Sequence, residues 1–308
     1  MHPPEILVLT SMIQPAERAA LDAIFTTHGP LGSAALDALL AARGDRILGI
    51  ATSGRELLDS ALLAKLPALR IVACFSAGID RIDTAALAAR GIALTNTSAV
   101  LAEEVADLAM ALAVMARRRL VAADAHVRSG AWASGQGFAF GRSLQGARMG
   151  LLGFGHIGAA IARRAAAAGL ALRYCTRTQR PGLNLPFHAT PLALAQDSDI
   201  LVVATTGGAA NRNLVDEATL RALGPHGTLV NIARGEVVEE AALLAALADG
   251  GLGSAGLDVF LNEPKVDPRF AVLPNVVLAP HIASATVETR SAMGVHVVQS
   301  LRAALLAA

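Results

Sequence analysis

The sequence predicts an α/β protein of two doubly wound parallel-sheet domains, on three observations. Apolar strand-like runs alternate with Ala/Leu-rich helical stretches in two separate series, the connections are long enough for crossover helices, and 308 residues exceed what one ordinary core organises. In the first series, strands are expected at 6–10, 46–52, 71–75 and 92–95, with helices after Pro15 and from Arg55. A helical pattern then runs over 100–127 and reads as an interdomain helix, followed by an irregular Gly-, Ser- and aromatic-rich loop at 130–142. The second series places strands at 149–152, 170–175, 199–205, 228–233, 254–259 and 276–279, with helices from His156, Asp216 and Glu239. A last helix over 284–306 is expected to return to the first domain.

Composition narrows the classes of function. With 54% hydrophobic and 17% charged residues the chain can bury cores. A formal net charge of +1 without a dense Lys/Arg block offers little to a polyphosphate backbone, so nucleic acid is not an expected partner. The apolar stretch at 100–116 is interrupted by Glu103, Glu104 and Asp107, and the opening apolar run is short and has no basic leader, so no membrane span is expected and the location is read as cytoplasmic. Cys74 and Cys175 lie in separate apolar runs and read as packing residues, with neither a disulfide nor a metal site expected.

Gly153-Phe154-Gly155-His156-Ile157-Gly158 follows an apolar strand and opens a helix of small residues. That context suits a dinucleotide: the first glycine makes the tight turn, the second admits pyrophosphate to the backbone, and the third packs helix on strand. The helix N-terminus adds free N–H groups and a positive dipole end. At the end of the next strand, where an NAD site places a carboxylate for the ribose, the chain reads Cys175-Thr176-Arg177-Thr178-Gln179-Arg180. Thr176, Arg177 and Thr178 therefore point to NADP(H), with NAD(H) possible; the alternative reading makes Arg177 and Arg180 solvated loop charges.

Three later segments each end an expected strand, where open α/β sheets hold ligands: Asn231 to Gly235, Asp258 to Pro264, and Pro280-His281. They offer a guanidinium at Arg234, a carboxylate at Glu263 and an imidazole at His281. That set can hold an anionic substrate, polarise its carbonyl and protonate the resulting oxygen beside a nicotinamide, with Glu263 orienting His281. Thr205, Ala233 and Asp258, with His281, complete the expected cofactor contacts. His126, His156, His188, His226 and His296 lack such company and read as loop or helix residues.

On these motifs the chain resembles, over nearly its whole length, the D-isomer-specific 2-hydroxyacid dehydrogenase family, glyoxylate and hydroxypyruvate reductases included. The resemblance implies a Rossmann nucleotide domain (99–284) inserted into a flavodoxin-like substrate domain (1–98 with 285–308), a cleft between them, and a homodimer. It implies NADPH-dependent reduction of small 2-oxo acids to D-2-hydroxy acids. By the same likeness Arg234 orients the substrate, Glu263 partners the histidine, His281 is the acid/base and Asp258 contacts the nicotinamide carboxamide. The likeness also implies that the turn Ser76-Ala77-Gly78 gives backbone N–H groups to the substrate carboxylate; a plain strand-to-helix connection is the alternative reading of these residues. Trp132 falls where related reductases extend a dimer arm, either lining the partner's site or anchoring the interface. The chain departs at Ala283, where many relatives carry glycine, an extra methyl expected to narrow the pocket. Glu263 argues against the formate dehydrogenase branch, which uses glutamine there. An NAD-linked or bulkier-substrate enzyme, such as a hydroxyphenylpyruvate reductase, and a non-catalytic dinucleotide sensor of corepressor type stay open.

Overall fold

The computed structural model describes residues 2–306. The chain divides into two compact units, Met1–Leu101 with Ser284–Ala308, and Ala102–Ala283. In the first unit a five-stranded sheet contains β1 (Glu5–Val8), β2 (Thr26–His28), β3 (Ile47–Thr52), β4 (Ile71–Cys74) and β5 (Ala93–Thr95). Its order is β2-β1-β3-β4-β5, every pair parallel, which is the flavodoxin-like order. Near-continuous apolar runs such as Ile71–Cys74 suit strands buried on both faces, and Leu7, Ile50 and Val72 lie in the core of the unit. The helices α1 (Pro15–Ile24), α2 (Ser33–Arg43), α3 (Ser60–Ala64) and α4 (Thr84–Ala89) make the crossovers. Asp59 and Asp83 cap the last two by accepting the N–H of Leu62 and Ala86.

The second unit begins with α5 (Ala102–Arg118) and α6 (Leu120–Arg128) and carries a seven-stranded sheet. Its strands are β6 (Arg148–Leu152), β7 (Ala171–Cys175), β8 (Phe187–His188), β9 (Ile200–Val203), β10 (Thr228–Asn231), β11 (Ser254–Leu257) and β12 (Val276–Leu278). The order β12-β11-β10-β9-β6-β7-β8, all parallel, is the Rossmann arrangement with one added strand. Strand order reverses between β6 and β9, the switch point at which such sheets bind ligands. The helices α7 (His156–Ala167), α8 (Pro191–Gln196), α9 (Glu217–Leu223) and α10 (Glu240–Ala248) link the strands, and α11 (Val287–Leu306) returns to the first unit and packs on α1, β3, β4 and β5.

Several expectations about elements need correction. The pattern over 100–127 is two helices, broken where Arg119 turns into the left-handed region at φ 57°, and both lie within the second unit. The helix expected from Arg55 starts at Ser60, because Glu56 instead accepts the backbone N–H of Ser53 and the hydroxyls of Thr52 and Ser53. His188 belongs to strand β8, not to a loop or helix, and its Nε2 lies 3.2 Å from Asp197 Oδ2. Among the described residues no helix is long and apolar enough to cross a membrane.

Candidate active site

The parallel pairing of β6 with β9 brings the glycine turn beside the strand-ending residues Ala204 and Thr205. Gly153 has φ 101°, and a β-carbon on it would lie 2.6 Å from the Ala204 carbonyl oxygen, so only glycine makes this turn. Around Gly155 nothing lies within 4 Å of a β-carbon position, which leaves open space directly above the start of α7. Gly155 is the N-cap and supplies no side-chain cap, so the first-turn N–H groups, at His156, Ile157 and Gly158, face that space without an intrahelical acceptor. A β-carbon on Gly158 would sit 2.5 Å from the Gly153 oxygen, so the third glycine serves packing. Open space over orphan amides at a helix N-terminus fits a pyrophosphate, and the chain's residues fit a nicotinamide dinucleotide here.

The neighbouring strand β7 ends at Cys175, a buried thiol packed in the apolar core, whose pKa is pushed up by burial. Beyond it Thr176 Oγ1 donates to the Thr178 carbonyl (2.8 Å), while Arg177 is exposed. Among the described residues neither Arg177 nor Arg180 is ion-paired.

The catalytic candidates stand on three adjacent strands. Register pairs Asn231 of β10 with Leu257 of β11, and Leu257 with Leu278 of β12, so the segments following these residues leave the same edge of the sheet side by side. Asn231, itself buried, shapes the first turn: its Nδ2 donates to the Arg234 carbonyl (3.0 Å) and its Oδ1 accepts the Ala233 N–H (3.1 Å). Arg234 is half-buried, and its guanidinium donates to the Ala233 carbonyl (2.8 Å). Gly235 lies so close to the Phe260 carbonyl that a β-carbon would overlap it, which joins the arginine turn to the loop carrying Glu263. In that loop Glu263 Oε1 accepts the Phe260 N–H (3.0 Å), and its Oε2 lies 2.6 Å from His281 Nδ1. The structure thus brings the Arg234, Glu263 and His281 segments into one continuous cluster.

His281 has φ 55°, a left-handed conformation that costs a non-glycine residue about 1–3 kcal/mol. Asp258 holds it there. The Asp258 carbonyl accepts the His281 N–H (2.8 Å), and its fully buried carboxylate accepts the N–H of Ile282 (2.8 Å) and of Ala283 (3.0 Å). Burial raises the Asp258 pKa; the two amide donors and the His281 charge pull it down, and Glu263 pushes it up. Asp258 thus clamps the histidine turn through its backbone. Ala283, whose N–H it takes, is buried.

In the first unit Ser76, Ala77 and Gly78 form the turn after β4. The Gly78 N–H donates to Ser76 Oγ (3.1 Å) and the Ser76 carbonyl accepts the Thr97 N–H (3.0 Å). Beside this turn stands a residue that the sequence reading missed: Arg290 of α11 stacks its guanidinium 5.8 Å from the Phe75 ring centroid. Burial and the nearby Arg55 lower its pKa, the signature of a desolvated cation. Helical spacing was the available signal, because Arg290 precedes the buried Met293, Val297 and Leu301 on one face. Among the described residues no group of three or more His, Cys, Asp or Glu could hold a metal. Trp132 is 69% exposed and Phe140 fully exposed in the irregular segment that follows α6.

Comparison with known proteins agrees with this geometry. Residues 110–283 match the model of the D-isomer specific 2-hydroxyacid dehydrogenase, NAD binding domain. The chain is 42% identical over 298 residues (97% of this chain, 94% of the relative) to a 2-ketogluconate reductase of Gluconobacter oxydans. It is 45% identical over 257 residues (83% and 81%) to a glyoxylate/hydroxypyruvate reductase A of Arabidopsis thaliana. The crystal structure of an NADPH-dependent glyoxylate/hydroxypyruvate reductase from Sinorhizobium meliloti, in complex with NADP and malonate, is 42% identical and superposes with a TM-score of 0.87, covering 97% of this chain and 93% of that one. A matched family model over more than half its length, and relatives spanning almost all of it, make this chain an enzyme and a member of the D-isomer-specific 2-hydroxyacid dehydrogenase family.

Proposed function

We propose that the chain is an NADPH-preferring reductase of small 2-oxo acids, glyoxylate and hydroxypyruvate first among them, yielding D-2-hydroxy acids. The observation that carries the reading is the 2.6 Å contact of His281 Nδ1 with Glu263, on the sheet edge that also bears Arg234. A nicotinamide dinucleotide held at the glycine turn would supply the hydride to the carbonyl carbon. Arg234 holds the substrate carboxylate and polarises the carbonyl as negative charge gathers on its oxygen. His281, its Nδ1 engaged by Glu263, keeps Nε2 for the proton that this oxygen takes up. Ser76, Ala77 and Gly78 are assigned to the carboxylate in the first unit.

The NADPH preference rests on the absence of any carboxylate from 176–180 and on Arg177 and Arg180 there. It is tested by assaying a panel of 2-oxo acids with each cofactor, following loss of nicotinamide absorbance. Glyoxylate or hydroxypyruvate is expected to turn over, with kcat/KM favouring NADPH about tenfold or more, the worth of one charge-assisted contact of ~1.4 kcal/mol. A strong NADH preference would overturn the role of Arg177, and silence across the panel with cofactor still bound would overturn the proposed substrate class.

A homodimer is part of the same reading. Leu120, Val121 and Val127 of α6, with Trp132 and Phe140, expose apolar surface that a monomer leaves wet. Light scattering on the purified chain is expected to give twice its 31.5 kDa mass, and Phe140→Ser to shift it towards monomer; a monomeric parent protein would end this part of the reading.

A further inference from the structure

Buried tyrosines place their hydroxyl on a partner, and the partner of Tyr174 lies in the loop that follows its own strand. Tyr174 lies on β7, fully buried, and its ring packs between Phe154 of the glycine turn and Phe187 of β8, with centroids 5.4 Å apart in each case. Its hydroxyl accepts the backbone N–H of Arg180 at 3.0 Å, so a core side chain ties down the loop that leaves its own strand. The Arg180 side chain folds back until its guanidinium lies 6.0 Å from the Phe154 ring centroid. One aromatic row thus joins the turn read as the pyrophosphate site to the segment read as the 2′-phosphate site. Thr176 closes the same loop from within by donating to the Thr178 carbonyl. The loop holds two cations without an ion-pair partner among the described residues, and unpaired cations on a tethered loop suit a phosphate dianion.

We infer that Tyr174 is a positioning residue for cofactor selectivity: its hydroxyl fixes the 176–180 loop so that Arg180, stacked on Phe154, meets the 2′-phosphate of NADPH together with Arg177. The inference rests on the NADPH reading above and adds to it the element that sets the preference. Tyr174 touches neither reacting atoms nor phosphate; it acts through Arg180. Pre-organisation is the physical gain, since a loop already held in place loses less freedom when the phosphate arrives.

Titration calorimetry on the whole protein separates the possibilities, with adenosine 2′,5′-bisphosphate and adenosine 5′-monophosphate as probes. The parent protein is expected to bind the bisphosphate more tightly. Tyr174→Phe keeps the ring and removes the anchor, and is expected to lose about three- to tenfold in bisphosphate affinity, the worth of one net hydrogen bond, with monophosphate affinity unchanged. Arg180→Gln should lose at least as much on the same probe. The double variant should lose no more than Arg180→Gln alone, because the two residues act through one contact. A parent protein indifferent to the 2′-phosphate would overturn the NADPH reading and this inference with it. A parent protein that discriminates, beside a Tyr174→Phe variant that discriminates equally, would overturn the inference alone. Equal losses on both probes would also overturn it, by showing Tyr174 to be a general support of the sheet.

Discussion

His281→Ala is expected to lower kcat by about 10³-fold while leaving NADPH affinity within a few-fold of the parent, because general acid transfer contributes 10²–10⁴ and the proposed dinucleotide contacts lie mainly elsewhere, at the glycine turn and the 176–180 loop. The imidazole reaches its place through a left-handed backbone and a 2.6 Å contact with Glu263. Neither feature is needed to bind a nucleotide. Stopped-flow reduction of glyoxylate under single-turnover conditions, beside fluorescence titration of NADPH, measures both quantities. Glu263→Gln should fall between parent and His281→Ala, roughly 10–100-fold down, since an amide still reaches Nδ1 without stabilising the imidazolium. Unchanged turnover in His281→Ala would remove His281 as the proton donor.

The second large effect is expected at a residue with no functional group. Gly235→Ala places a methyl group where the Phe260 carbonyl already stands, between the turn that presents Arg234 and the loop that carries Glu263. Both partners are backbone, so relief requires the two segments to part. Overpacking of this kind costs about 1–3 kcal/mol or more in stability. Parting the loops also separates the cation from the histidine pair, and a 1 Å misplacement at a reacting centre can cost about 10²-fold. The variant should therefore melt several degrees lower and lose about 10²-fold in kcat/KM, with adenosine 2′,5′-bisphosphate binding retained. Thermal unfolding and steady-state kinetics check it; a variant with parental kcat/KM would show that the two loops do not need this contact.

That the segments bearing Arg234, Glu263 and His281 leave one edge of the sheet was legible because β10, β11 and β12 are consecutive in sequence and adjacent in the sheet. Residues that follow consecutive parallel strands leave the same edge in chain order, so position along the chain maps onto position in space. The short edge strands β2 and β8 were not legible. Thr26–His28 and Phe187–His188 carry no apolar run, and their pairing with β1 and β7 supplies what the local residues do not. The break at Arg119 lies among arginines without glycine or proline, so nothing local announces it. Arg290 was masked by distance: its partner ring, Phe75, is more than two hundred positions away in the chain. The hold of Asp258 on the histidine turn was not legible, because it depends on where a buried carboxylate meets two amides, which residue type alone does not specify.

That clamp grips main-chain atoms only. Side chains at 282 and 283 can therefore be exchanged without loosening the imidazole, so long as their amides still point inward. Placement of the imidazole is in this sense independent of which side chains follow it, and the alanine at 283 is one variation that these backbone bonds permit.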